Sequence, residues 1–181
     1  MTDLYFLQVS IALAILLVTT LLCLRFIPGA PIQRYFRKKH RAAERAFWED
    51  VLRQILQMEQ DGRVVSTEAL AGSMGRSVPV LRRVLGRMGE HDLIAEDSQK
   101  VRLTEDGKRW ALHILRAHRL WESYLAKNFE LPRDHLHEPA ERMEHFLDAD
   151  LQEQLASELA GQTLDPHGRP IPPLDAESAR N

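Results

Sequence analysis

The sequence predicts a mainly α chain with a single N-terminal transmembrane helix. Three observations predict it. Leu4 to Leu24 is an uncharged run of 21 residues, LYFLQVSIALAILLVTTLLCL. Apolar residues recur at helical spacing through most of the remaining chain, and only two short stretches alternate like strands. The totals alone read as an ordinary soluble protein, with 181 residues, 24 Lys and Arg against 26 Asp and Glu, and one Cys. That single cysteine excludes a disulfide framework and a four-cysteine zinc cluster.

As a helix the apolar run is about 31 Å long, which matches the hydrocarbon core of a bilayer. A soluble core helix would have to be apolar on every face for six turns. A cleaved signal peptide needs positive charge before the run and small residues after it. Here Asp3 precedes the run and no A-x-A site follows. Cys23 lies in the apolar segment, where a structural or lipid-facing role suffices. After the span come Arg25, Arg34, Arg37, Lys38, Lys39, Arg41 and Arg45 against the single acid Glu44. Basic residues flanking a span stay cytoplasmic, so the N-terminus is expected outside and residues 28–181 in the cytoplasm. The same collar attracts anionic lipid, with nucleic-acid contact as the other reading. Residues 28–33, PGAPIQ, read as a linker because two prolines break a helix continuing from the span.

In Ala46 to Glu59, Phe47, Val51, Ile55 and Met58 share one helical face, and Gly62 stops the helix. Ser66 and Thr67 precede a short helix, Gly72 to Gly75 makes a turn, and Ser77 is expected to cap a third helix. In that helix Val80, Leu81, Val84, Leu85 and Met88 have helical spacing, and Pro79 falls in the tolerant first turn. Helix, short helix, glycine turn, helix is the helix-turn-helix order. Leu93 to Ala95 and Val101 to Leu103 then form a hairpin, the wing. The third helix carries Arg76, Arg82, Arg83 and Arg87 and no acid before Glu90. It suits a DNA major groove or, equally by pattern, a solvated face. Acids outnumber bases in the winged region as a whole, so DNA binding requires the positive charge to be concentrated on this helix and the wing.

Residues 108–129 read as a long amphipathic helix in which His118 and Glu122 share a face four residues apart. A further helix beginning at Pro139 places Glu141, Glu144 and His145 on one side. Two carboxylates and an imidazole converging there call for a divalent cation, or else form a solvated Glu/His face. Carboxylate oxygens with imidazole nitrogens and no thiolate suit Mn²⁺ or Fe²⁺ better than structural zinc. His40, His91, His113 and His135 need only surface or packing roles. Neither a nucleophile–base pair nor a phosphate loop is visible, so no enzyme is expected.

From Phe47 to Pro173 the chain resembles the metal-dependent repressors of the diphtheria toxin repressor and manganese transport regulator type. The most specific stretches are AHRLWE (117–122), HEPAERMEHFL (137–147) and DPHGRPIP (165–172). The resemblance implies a homodimer of winged-helix subunits with a helical metal-binding and dimerisation domain. Metal between the two domains would set the spacing of the recognition helices on a DNA operator. By position it implies one metal site at Asp50, Glu141, Glu144 and His145, and an ancillary one at His118, Glu122 and His137. Asp50 and Glu141 hold carboxylates as in the manganese branch, which points to Mn²⁺ with Fe²⁺ second. Arg53 stands where that branch has a ligand glutamate, which counts against a paired manganese site. Ligands from an SH3-like domain after Pro173 are not expected either. Ser77, Pro79, Val80, Arg82 and Arg83 match the DNA-contacting end of the recognition helix.

The expected organisation is a transmembrane anchor (1–27), a basic juxtamembrane linker (28–45), a winged helix-turn-helix (46–107), a helical metal-binding and dimerisation domain (108–165) and a C-terminal tail (166–181). The expected function is a membrane-tethered, Mn²⁺- or Fe²⁺-responsive DNA-binding repressor of metal homeostasis. The alternative is a cytoplasmic metal-sensing module of a metal transporter permease that does not bind DNA.

Overall fold

The computed structural model describes residues 2–26, 31–97, 100–129 and 131–174. The chain divides into two units, residues 1–45 and 46–181. In the first, helix α1 (Thr2–Phe26) is apolar on every face, and Tyr5–Leu22 is long and apolar enough to cross a membrane. Its hydroxyls are satisfied within the helix: Ser10 donates to the Phe6 carbonyl at 2.9 Å and Thr20 to that of Leu16 at 2.6 Å. This is what a backbone in lipid requires of its polar side chains. The Cys23 side chain and residues 27–30 lie outside the described residues.

Helix α2 spans Pro31–Gln60, so residues 31–33 of the expected 28–33 linker are helical, and 28–30 lie outside the described residues. Pro31 sits at the first helical position, where a missing N–H costs nothing. In the second unit α2 buries Val51, Leu52, Ile55 and Met58 completely. Helix α3 (Thr67–Met74) starts where the Ser66 hydroxyl accepts from the Ala69 amide at 3.1 Å. It stops at Gly75, whose φ of +61° is left-handed and turns the chain toward α4 (Val78–Glu90). Ser77 precedes α4 as expected but makes no side-chain cap hydrogen bond, so its hydroxyl does not cap the helix. Leu81, Leu85 and Met88 of α4 are fully buried against α2, each contributing about 1.5–3 kcal/mol of apolar transfer.

The wing is an antiparallel hairpin, β1 (Ile94–Asp97) and β2 (Lys100–Leu103), with Ile94 opposite Leu103 and Asp97 opposite Lys100. The Val101 amide donates to the Val65 carbonyl at 2.9 Å, which pins the hairpin to the segment before α3.

Helix α5 (Glu105–Phe129) begins where the Thr104 hydroxyl accepts from the Gly107 amide at 3.1 Å. Its first half joins the winged core through Ala111 and Leu115. Its second half carries a separate helical layer of α6 (His137–Met143) and α7 (Ala149–Glu158). Short 3-10 turns at Arg133–His135 and Glu144–Phe146 flank α6. One expectation changes here: Glu141 is in α6, whereas Glu144 and His145 lie in the tighter 3-10 turn that follows. After α7 the chain folds back with a bridge between Leu164 and Pro170. Arg116 donates to the Pro172 carbonyl at 2.7 Å, and Arg119 to that of Pro170. The expected C-terminal tail is therefore held against α5 as far as Pro172, and residues 175–181 lie outside the described residues.

Candidate metal centre and nucleic-acid interface

Two clusters of carboxylates and imidazoles form where α2, α5 and α6 meet. In the first, α2 contributes Glu49, Asp50 and Arg53 within one turn, and the 3-10 turn contributes Glu144 and His145. One donor atom each from Asp50, Glu144 and His145 lies within 4.8 Å of the others. His145 Nδ1 is 2.7 Å from Glu49 Oε2, and its Nε2 is 3.5 Å from Asp50 Oδ1. Burial disfavours a charged ring, but the carboxylates of Asp50, Glu49 and Glu144 outweigh it and raise His145 to about 10.

Glu144 is fully buried. Its Oε2 is 2.5 Å from His118 Nδ1, and its Oε1 is 3.2 Å from Arg53 Nε. That second contact is a charge pair without hydrogen-bond alignment, so Oε1 has no hydrogen-bond donor among the described residues. Arg53 thus meets this buried oxygen by charge alone, and its lone pairs are left for a further donor or a metal ion. Glu141 stands apart from the triad. Arg53 Nη2 donates to its Oε1 at 2.7 Å, and His137 Nε2 lies 3.3 Å away. The guanidinium between Glu141 and Glu144 is the reason that the four expected ligands do not close on one point. Burial works against the Arg53 charge, but Glu144 and Glu141 overcome this and raise its pKa.

The second cluster brings together all three residues expected there. His118 Nε2 is 3.1 Å from Glu122 Oε1 and 3.0 Å from His137 Nδ1, which is itself 3.4 Å from Glu122 Oε1. Burial opposes charge on both groups of the His118–Glu122 pair. Their mutual contact prevails, with His118 raised and Glu122 held well below the usual carboxylate range. In both clusters, protons on histidine and the Arg53 charge balance buried carboxylates. A divalent cation can replace those protons, and an all-oxygen-and-nitrogen donor set suits Mn²⁺ or Fe²⁺. The residues therefore fit a metal ion on the evidence of their donor chemistry and the undonated Glu144 oxygen.

Sequence reasoning missed two participants. Glu49, only 1% exposed, also accepts from Trp110 Nε1 at 3.3 Å, and its place off the Phe47–Met58 face gave no sign of burial. His167 Nε2 lies 3.8 Å from Glu122 Oε1 and belongs to the DPHGRPIP stretch, where its position carried no role.

The expected nucleic-acid residues gather at the N-terminal end of α4. Ser77, Pro79, Val80, Arg82 and Arg83 are all exposed, Val80 at 40%. Arg82 pairs loosely with Glu68 at 3.8 Å. Arg76 and Arg87 instead lie over the Phe47 and Trp48 rings at 5.5 and 5.3 Å. Two of the four arginines thus stack on the helix α2 aromatics while Arg82 and Arg83 project outward.

A winged helix-turn-helix joined through carboxylate–imidazole clusters to a helical layer is the architecture of a class, the metal-dependent regulators, and the comparisons find relatives of the chain in that class. Residues 104–173 match the family described as iron dependent repressor, metal binding and dimerisation domain. The iron-dependent repressor IdeR of Mycobacterium tuberculosis is 32% identical over 124 residues, 68% of this chain and 54% of that protein. A solved manganese-dependent transcriptional repressor in complex with manganese is 32% identical and superposes with a TM-score of 0.65, covering 72% of this chain and 59% of that one. A probable metal transport system membrane protein of Chlamydia trachomatis is 43% identical over 70 residues, 39% of this chain and 16% of that protein. Residues 104–173 thus carry the iron dependent repressor C-terminal domain, and iron- and manganese-dependent repressors are homologues of the chain. It spans about half the length of the curated repressors it matches.

Proposed function

We propose that the chain is a membrane-anchored, Mn²⁺- or Fe²⁺-responsive, dimeric DNA-binding repressor of metal homeostasis. The observation that carries this reading is the junction at Asp50, Glu144 and His145. Asp50 is on α2, which builds the winged core, whereas Glu144 and His145 belong to the helical layer. A divalent cation there supplies the charge that holds three acidic or imidazole ligands from two layers together. Because ligands can shift an equilibrium only through differential affinity, ion binding favours the arrangement in which these groups converge. Asp50, Glu144 and His145, with Glu141 beside them, form the regulatory site. His118, Glu122 and His137 form an ancillary one. Ser77, Pro79, Val80, Arg82 and Arg83 read the operator. The layout follows the five expected segments, with the anchor at residues 1–27 and the C-terminal part in the cytoplasm.

Calorimetry on the full chain in detergent tests the site: Asp50→Ala with His145→Ala weakens Mn²⁺ at this site at least tenfold, and unchanged affinity rules the assignment out. A metal-dependent gel shift of its own promoter region at low salt, lost in Arg82→Ala with Arg83→Ala, tests the DNA half. The second reading, a metal-sensing module serving a membrane metal transporter, is favoured by the chlamydial match and by the apolar helix. It takes over if metal binds and no DNA is shifted.

A further inference from the structure

Arg53 is placed where a cation is wanted. It follows Glu49 and Asp50 by one turn of α2, and its side chain is only 19% exposed. Its guanidinium reaches Glu141 through Nη2 at 2.7 Å and Glu144 through Nε at 3.2 Å. These two acids come from the helical layer, so the pair of contacts already ties α2 to α6 and the turn after it. A guanidinium keeps its proton under all ordinary conditions, unlike the histidines around it.

We propose that Arg53 is a tethered cation filling half of this carboxylate cluster, so that the junction takes one divalent ion, on the Asp50–His145 side, and no second. The inference rests on the metal reading above and adds to it a stoichiometry and a resting state. Charge argues for it. Glu49, Asp50, Glu141 and Glu144 bring four negative charges to the junction; Arg53 and one divalent ion bring three positive ones. A second ion raises the positive total to five, against four. Space argues for it as well, because the gap between Glu141 and Glu144 is filled by the guanidinium. An ion forced in there would meet Arg53 at a few ångströms, where like charges repel most strongly. On the other side, donor atoms of Asp50, Glu144 and His145 lie within 4.8 Å of one another. Arg53 also keeps the junction partly closed in the metal-free chain, so that the ion adds to a bridge already present.

The test counts Mn²⁺ on the full chain in detergent micelles, with the ancillary cluster removed by Glu122→Gln and His137→Gln. With Arg53 present the expected count is one ion per chain by calorimetry. In Arg53→Glu it rises to two, with the spin-coupled electron paramagnetic resonance signal of adjacent Mn²⁺ ions, while Arg53→Lys stays at one. Two ions in the presence of Arg53, or one in a folded Arg53→Glu chain, overturns the inference and leaves the metal reading standing. No ion in the parent overturns both. If Arg53→Glu does not fold, the metal-free Tm decides. Arg53→Met lowers it by about 5 °C or more, since two acids lose their counter-charge, and Arg53→Lys lowers it less. Equal Tm values for the parent and Arg53→Met overturn the tethered-cation role.

Discussion

His145 carries the most instructive electrostatics of any single residue. In the metal-free chain its proton is held by Glu49 and Asp50 up to about 10, against an ordinary 6.5. A raised folded value stabilises the fold fully below pH 6.5, and this contribution is lost as pH climbs toward 10. Glu122 works with the opposite sign. Its depressed folded value contributes stability above its ordinary 4.5 that is lost as pH falls below it. Metal-free thermal stability is therefore expected to be highest between about pH 4.5 and 6.5 and to fall toward pH 10. In His145→Gln the alkaline decline flattens; differential scanning calorimetry across pH reads this directly, and a decline of unchanged depth refutes it. Because an ion must displace the same proton, Mn²⁺ affinity rises with pH over this range. The residue scale is also where sequence reading stopped. Asp50 and His145 were legible as types, but Glu49 and Arg53 act on partners 96 and 88 positions away. No local periodicity records which acid a guanidinium will choose.

Elements were far more legible than contacts. The face of Phe47, Val51, Ile55 and Met58 predicted the buried side of α2, and three of those four residues are fully buried. The glycine turn, α4 and the wing also fall where pattern placed them. What pattern misplaced were junctions. Pro31 reads as a breaker yet starts α2, since a proline at a first helical position and one in a linker look alike in sequence. The helix carrying Glu141 was expected to run on through His145, but it tightens to a 3-10 turn after Met143. Gly107 shows how closely the elements meet. A Cβ there would stand 1.9 Å from the Leu93 carbonyl oxygen, where α5 leaves the wing. Backbone cannot yield as a flexible side chain does. Gly107→Ala is expected to cost about 2 kcal/mol or more, as overpacking does. A urea melt of the variant with less than half that loss would show that the α5 start can shift aside.

For the whole molecule, the near-neutral total of −2 conceals a division of labour. An uncharged helix and a basic collar occupy residues 1–45, and acids outnumber bases after them. In the proposed topology, full-length chain sediments with membranes through an alkaline carbonate wash, and a chain lacking residues 1–27 does not. A reporter active only outside the cell should work when fused before Thr2 and not after Leu174. Recovery of the full chain in the soluble fraction would remove the anchor from the proposal. Overall class was readable because the long apolar helix, the helix-turn-helix and the ligand stretches each have a sequence signature of their own. Their cooperation was not, since it is set by how α5 serves both the winged core and the helical layer.

The unequal exposure of the two clusters also has a consequence in time. Asp50, with 38% of its side chain exposed, and His145 line an open cleft of about 490 Å³ between α2 and α6. His118 and Glu122 are sealed, and only His137, 57% exposed, stands at the surface as their door. In the proposed function an ion reaches the first cluster from solvent through the partly exposed Asp50 and His145, with Glu144 buried behind them. At the second, His118 and Glu122 are shielded from solvent, so in the same reading an ion exchanges there more slowly. The proposed pair of sites is then a fast exchanger beside a slow one, and release of Mn²⁺ to a chelator should run in two phases.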